Sequence, residues 1–210
     1  MEHRRGDAVL RRRTDGALEL RVNGVFVMDD VETGSERLLA TTALSPVRTP
    51  RRVLVGGLGL GYTLRALLDD TRLGHVLVAE LEPAIPGWMR DGVLPGADLL
   101  DDPRVELRLA DVREVVADAV PASLDAILLD VDNGPDFLVH EDNATLYETP
   151  FLRQCADALG PYGQLCVWSM SEAPALTEAM RPVFARVEAE SVPVRLQGRD
   201  ESYWLLRGHL

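Results

Sequence analysis

The amino-acid sequence predicts a doubly wound α/β sheet with a nucleoside-binding turn, preceded by a small N-terminal β-hairpin extension. Three observations predict it. The run Val53-Leu54-Val55-Gly56-Gly57-Leu58-Gly59-Leu60-Gly61 takes an apolar strand into glycines, where the chain turns sharply, lets a ligand touch backbone and starts a helix at Tyr62. Glu80, nineteen residues after Gly61, closes the apolar run His75–Ala79, so its carboxylate falls at the carboxyl end of the neighbouring strand, placed to accept both hydroxyls of a ribose. From Arg51 onward strand and helix patterns alternate, which is the signature of parallel strands with crossover helices.

The elements follow in order. After an arginine-rich start, Ala17–Val22 and Val25–Met28 flank Asn23-Gly24, two residues that tolerate positive φ and so mark a hairpin. Residues 36–44 are helical in pattern, and Pro46 and Pro50 break the chain before a main domain that begins at Arg51. Strands are expected near 53–57, 75–80, 104–109, 124–130, 163–169, 187–195 and 201–206, giving seven, and helices near 61–70, 83–91, 112–119, 147–159 and 173–185. The run Leu124–Asp130 is apolar apart from Asp125, as a central strand buried on both faces should be. Gln197-Gly198-Arg199-Asp200 reads as the turn of a terminal antiparallel pair.

The composition narrows the function classes. The 210 residues suffice for one well-buried core with a small extension. Lys+Arg 22 against Asp+Glu 34 gives a net charge of -12, which disfavours nucleic acid or an anionic membrane as partner and favours a small, cationic molecule. Every basic residue is arginine, so a Schiff-base or phosphate-loop lysine is excluded. No apolar run reaches membrane-spanning or signal-peptide form, and the expected location is the cytoplasm. Cys155 and Cys166 fall on different predicted elements and are expected to be buried thiols. The short hairpin must pack on its own domain or on a second copy, so a homodimer is one expectation.

Ligands of open α/β sheets bind outside the carboxyl ends of the strands. Those ends here are Gly57, Gly59 and Gly61, then Glu80, Asp111, Asp130 and Ser169. Asp111 can cap the helix that follows it or meet an adenine amino group. The segment Asp130-Val131-Asp132-Asn133-Gly134-Pro135-Asp136 opens a loop long enough to cover a site. Asp130 or Asp132 can orient an amine and take its proton, or simply satisfy an Asx-Gly turn. His140, in the same loop, is a further candidate base near neutral pH. Tyr147, Trp168 and Trp88 either stack on a ligand or belong to the core.

In their order, Val53–Arg65, Ala79-Glu80-Leu81-Glu82-Pro83, Ala110-Asp111, Asp130–Pro135 and Leu146-Tyr147 resemble the spermidine synthases and their small relatives, with the Rossmann-like class I S-adenosylmethionine-dependent methyltransferase fold. The resemblance covers roughly residues 17 to 170 and makes residues 1–50 an extension and 51–210 the transferase domain. It implies Glu80 on the ribose, Asp111 near the adenine, and Asp130 at the family's catalytic aspartate, also beside the bound nucleoside. Two departures stand out. Aminopropyltransferases carry an aspartate in the glycine turn where this chain has Leu60, and an acid there would repel the carboxylate of ordinary S-adenosylmethionine. Their Tyr-His pair is missing too, since Arg37-Leu38-Leu39-Ala40 follows Glu36. The expected activity is therefore methyl transfer from S-adenosylmethionine to a small-molecule acceptor. The alternative is aminopropyl transfer from decarboxylated S-adenosylmethionine to a diamine. A non-catalytic nucleoside-binding relative comes third and a nicotinamide dehydrogenase last, and no metal site is expected.

Overall fold

The computed structural model describes all residues except Asp132, Gln197 and Gly198, together with the side chains of all but Arg5 and Leu196 among the rest. Four antiparallel strands come first, β1 (Glu2–Arg5), β2 (Ala8–Arg12), β3 (Leu18–Val22) and β4 (Val25–Asp29), hydrogen-bonded in that order. The expected hairpin is the β3–β4 half, turning at Asn23 and Gly24 with φ 53 and 78. The β1–β2 half corrects the expectation of a bare arginine-rich segment. There Ala8 and Leu10 are buried while Arg11 and Arg12 are exposed, so an alternating strand pattern lies beneath the charges. Arg11 and Arg21 both donate to the buried Glu19, at 2.8 and 2.7 Å, which neutralises an acid in a strand.

Helix α1 (Gly34–Leu44) buries Leu39, Ala40, Ala43 and Leu44 along one stripe and joins the core shared by the two sheets. The main sheet then forms from β5 (Arg52–Gly56), β6 (His75–Glu80), β7 (Val105–Leu109), β8 (Leu124–Leu129), β9 (Leu159–Ser169), β10 (Arg186–Leu196) and β11 (Arg199–His209). Its spatial order is β10-β11-β9-β8-β5-β6-β7. Strands β5 to β9 run parallel, and β10 and β11 pair antiparallel at the edge, as the sequence led us to expect. The Gln197-Gly198 part of their turn lies outside the described residues. Between the strands run α2 (Tyr62–Leu68), α3 (Ala84–Arg90), α4 (Ala97–Leu100), α5 (Val112–Ala117), α6 (Thr149–Ala158) and α7 (Pro174–Met180). The one polar residue expected inside β8, Asp125, accepts from the backbone N–H groups of Arg51 and Arg52 and so ties down the start of β5. Cys155 and Cys166 are both buried free thiols. Among the described residues no helix is long and apolar enough to cross a membrane.

The chain passes from β5 outward to β7 and returns on the other side of β5 as β8, which makes the β5/β8 boundary the topological switch point. The backbone there is closely packed. The Gly57 N–H donates to Ala79 O and the Asp130 N–H donates to Gly56 O, each at 2.8 Å. Gly57 has φ +93, and a Cβ there would stand 2.1 Å from the Asp130 carbonyl oxygen. Gly57→Ala is accordingly expected to cost at least about 3 kcal/mol, read as a lower midpoint in urea.

Candidate functional site

The carboxyl ends of β5 to β9 open into one cleft. Its floor is the sheet end, and Leu20, Val22, Val27 and Met28 of the N-terminal sheet wall the opposite side. The extension is therefore part of the cleft.

Over β5, β6 and β7 lie the residues that the sequence associates with a nucleoside. Glu80 is 6% exposed, and its carboxylate accepts from the Leu58 N–H of the glycine turn (2.7 Å) and from the Glu82 N–H (2.6 Å). Burial nevertheless holds its pKa above the ordinary glutamate value, with the backbone N–H bonds pulling the other way. Each oxygen has a further lone pair, so two hydroxyls can still be accommodated. Asp111 lines the cleft and also caps α5, accepting from the Arg113 N–H at 2.8 Å. The Arg113 guanidinium holds its pKa below the usual carboxylate range. The cap and the cleft position thus coexist in one side chain. His140 and Asn143 come to the same cleft from the loop after β8. Asn23 Nδ2 lies 3.2 Å from both Val139 O and His140 Nδ1. As an amide donor it places the neutral ring's proton on Nε2, so His140 offers a donor there.

The glycine turn carries no acid. Leu60, 6% exposed, sits in the apolar core, and its backbone N–H meets Met28 Sδ at 3.3 Å. Gly59 and Gly61 also have positive φ, with Gly59 lining the cleft and Gly61 preceding α2.

The half of the cleft over β8 and β9 is acidic and aromatic. Asp130 accepts from Thr63 Oγ1 at 2.7 Å, and burial raises its pKa to about 6. Glu36, 6% exposed in the first turn of α1, lines the same cleft. Its pKa is raised to about 7, first by burial and then by the negative charge of Asp130. Ser35 Oγ donates to it at 2.8 Å. The negative charge of Asp130 thus disfavours ionisation of Glu36, and a cation bound beside them would favour the charged form of both. Trp168 lines this half, with the Tyr203 ring 4.8 Å away and tilted by 59°.

Of the sequence candidates, the cleft brings together Gly57, Gly59, Glu80, Asp111, Asp130, His140 and Trp168. Gly61 shapes the turn behind them, and Trp88 and Tyr147 are buried in the core. Asp132 lies outside the described residues. Ser169 Oγ is turned to the loop, receiving the Ser171 N–H at 3.2 Å. The same loop is tied to β4 by Asn133 Nδ2, which donates to Phe26 O at 2.7 Å. Sequence reasoning did not single out Glu36 as a site residue. An acid in the first turn of a helix is usually read as a favourable end charge, and only the packing of α1 against the sheet reveals it as buried.

Among curated proteins the chain is similar to putrescine N-methyltransferase 4 of Nicotiana tabacum, 28% identical over 159 residues, which are 75% of this chain and 38% of that protein. It is also similar to a polyamine aminopropyltransferase of Halorhodospira halophila, 31% identical over 170 residues, covering 80% of this chain and 58% of that one. The chain therefore spans well under two thirds of the length of these relatives. Among solved structures it superposes on spermidine synthase from Thermotoga maritima with a TM-score of 0.83 at 17% identity, covering 100% of this chain and 72% of that one. A spermidine synthase in complex with the transition-state analogue AdoDATO gives a TM-score of 0.82 at 17% identity, covering 100% and 71%. No family model matches. In the order of its motifs and in its methyltransferase-type α/β fold, the chain is spermidine synthase-like.

Proposed function

We propose that residues 51–210, roofed by the extension of residues 1–50, form a cytoplasmic S-adenosylmethionine-dependent transferase that methylates a small cationic amine. The observation that carries this reading is a single cleft with Glu80 over one half and Asp130 beside Glu36 over the other. A buried carboxylate tied to the glycine turn suits a nucleoside, with Glu80 on the ribose and Asp111 toward the adenine. When bound, S-adenosylmethionine supplies an electrophilic methyl group on its sulfonium.

The protein's own work is then positioning and proton removal. Asp130 and Glu36 attract the ammonium form of the acceptor, and Asp130 takes the proton that frees the nitrogen lone pair. The freed lone pair would then be held toward the methyl group of a bound donor. Asp132 is kept as a second candidate for the amine, and His140, its Nδ1 engaged by Asn23, serves as a donor at the nucleoside side rather than as the base.

The absence of an acid in the glycine turn favours the ordinary donor, whose carboxylate would meet no like charge there. Because the Leu60 side chain is in the core, Leu60→Asp is expected to lower the melting temperature as well as raise relative affinity for the decarboxylated donor. An unchanged preference in a folded variant counts against this assignment. Aminopropyl transfer is the second reading, favoured by similarity to a polyamine aminopropyltransferase. Incubation with 1,4-diaminobutane and each donor, followed by mass spectrometry, tests the proposal. A gain of one methylene is the result expected, a gain of one aminopropyl unit supports the alternative, and no product with either donor and any amine removes both.

A pH prediction arises from the same pair. Asp130 and Glu36 have folded pKa values above their ordinary ones, so the folded state binds more protons than the unfolded state between about pH 4 and about pH 7. Their contribution to stability therefore falls as pH rises through that window. Glu36→Gln is expected to melt higher than the parent above about pH 7, with the difference shrinking toward pH 4, as measured by melting at several pH values.

A further inference from the structure

We propose that the Thr63 hydroxyl is the positioning group of the base: it holds Oδ2 of Asp130, so that the carboxylate meets the acceptor's ammonium, and takes its proton, at Oδ1. This rests on the amine-transferase reading above and names a further residue that serves its proton step.

The glycine turn puts Thr63 where it can do this. Gly61 precedes α2, and Thr63 in the first turn of that helix is 2% exposed, between α1 and the end of β8. A hydroxyl has one proton to give. Two acceptors lie near it, Asp130 Oδ2 at 2.7 Å and the Glu36 carbonyl oxygen at 3.4 Å. The first is the distance of an ordinary O–H···O bond and the second is beyond that range, so the proton goes to Asp130. Asp130 lines the cleft, and its Oδ1 accepts no hydrogen bond among the described residues and is not sealed from water. The two oxygens therefore have different tasks. As the ammonium N–H bond breaks, the proton joins Oδ1 and the electron pair stays on nitrogen, while Oδ2 keeps its bond to Thr63.

The same bond sets how readily the carboxyl ionises. Burial is the larger influence on Asp130 and raises its pKa, and the Thr63 bond opposes it by favouring the charged form. The neighbouring elements do not help. Gly56 and Gly57 of β5 meet Asp130 by backbone alone, and β9 brings the neutral Trp168 alongside. Glu36 of α1 has Glu32 behind it, and Tyr203 of β11 lies among Glu36, Asp29, Glu32 and Glu201. None of these is a cation, which leaves the Thr63 hydroxyl as the side chain that favours the carboxylate.

The test is a carbon-13 NMR titration of the full chain labelled at its carboxyl carbons, with the Asp130 signal assigned by its loss in Asp130→Asn. The parent signal is expected to titrate at about pH 6. In Thr63→Val, which keeps the branched shape and removes the hydroxyl, the proton affinity of Asp130 is expected to rise about tenfold, and Thr63→Ser is expected to restore the parent value. The lower inflection in methyl transfer to 1,4-diaminobutane should move upward by the same factor. An unchanged midpoint in Thr63→Val overturns the inference, as does a rise that Thr63→Ser does not reverse. The titration needs neither donor nor acceptor, so the two readings fail separately. A shifted midpoint in a protein that transfers nothing to any amine sinks the amine reading, and an unshifted midpoint in one that does transfer sinks the role of Thr63 alone.

Discussion

Glu80→Gln is expected to weaken binding of S-adenosylmethionine and of S-adenosylhomocysteine by about a hundredfold, because a neutral amide replaces the anion that is to hold two hydroxyls, and charged hydrogen bonds are the stronger ones. The geometry adds a second effect. The same carboxylate accepts the N–H groups of Leu58 and Glu82, so it fixes the glycine turn as well as any ligand. Glutamine keeps one acceptor oxygen and turns an NH₂ toward the other N–H, and a drop of several degrees in melting temperature should accompany the loss of affinity. Alanine would free both N–H groups and blur the two effects, which makes glutamine the better probe. Calorimetry at matched folded fraction separates them. Affinity within about threefold of the parent would remove Glu80 from the nucleoside site.

Asp130→Asn is expected to cut turnover by about 10²- to 10⁴-fold with donor affinity nearly unchanged, the range associated with loss of a positioned general base. The side chain retains an oxygen for the Thr63 hydroxyl, so the local packing survives. In the parent protein, turnover should rise with pH as Asp130 and then Glu36 ionise, through about pH 6 and about pH 7. The sign is fixed by chemistry: only the ionised carboxylate accepts the acceptor's proton or attracts its ammonium. The variant should lose the lower of the two inflections. A flat profile between pH 5 and 8 in the parent, or full activity in Asp130→Asn, would place the base elsewhere, with Asp132 the next to test.

The parts of this protein that were legible in its sequence are those set by local rules. A buried strand running into glycines, an acid closing the next strand and an alternation of apolar runs with helical segments fix β5, β6 and the switch point. The ends of the strands then list Gly57, Glu80, Asp111 and Asp130 without any knowledge of packing. The β1–β2 hairpin was not legible because five arginines conceal an alternation whose buried members are only Ala8 and Leu10. Glu36 was hidden for a different reason: its burial depends on α1 lying against the sheet far away in sequence, beside Thr63 and Asp130. Trp168 had two readings from sequence, ligand wall or core, and it occupies both, since its ring belongs to the core cluster and also lines the cleft. Leu60 was legible as a missing acid, whereas its own burial in the core could not be read from the turn.

The most direct test of the central claim, that this cleft holds an S-adenosylmethionine-type donor beside Glu80 and an amine beside Asp130, is calorimetric titration with S-adenosylmethionine and, in parallel, with its decarboxylated analogue. The account predicts saturable binding of both, with the ordinary donor the tighter, since the glycine turn sets no acid against its carboxylate. Tighter binding of the analogue would contradict methyl transfer and bring aminopropyl transfer forward; binding of neither would contradict the donor site altogether.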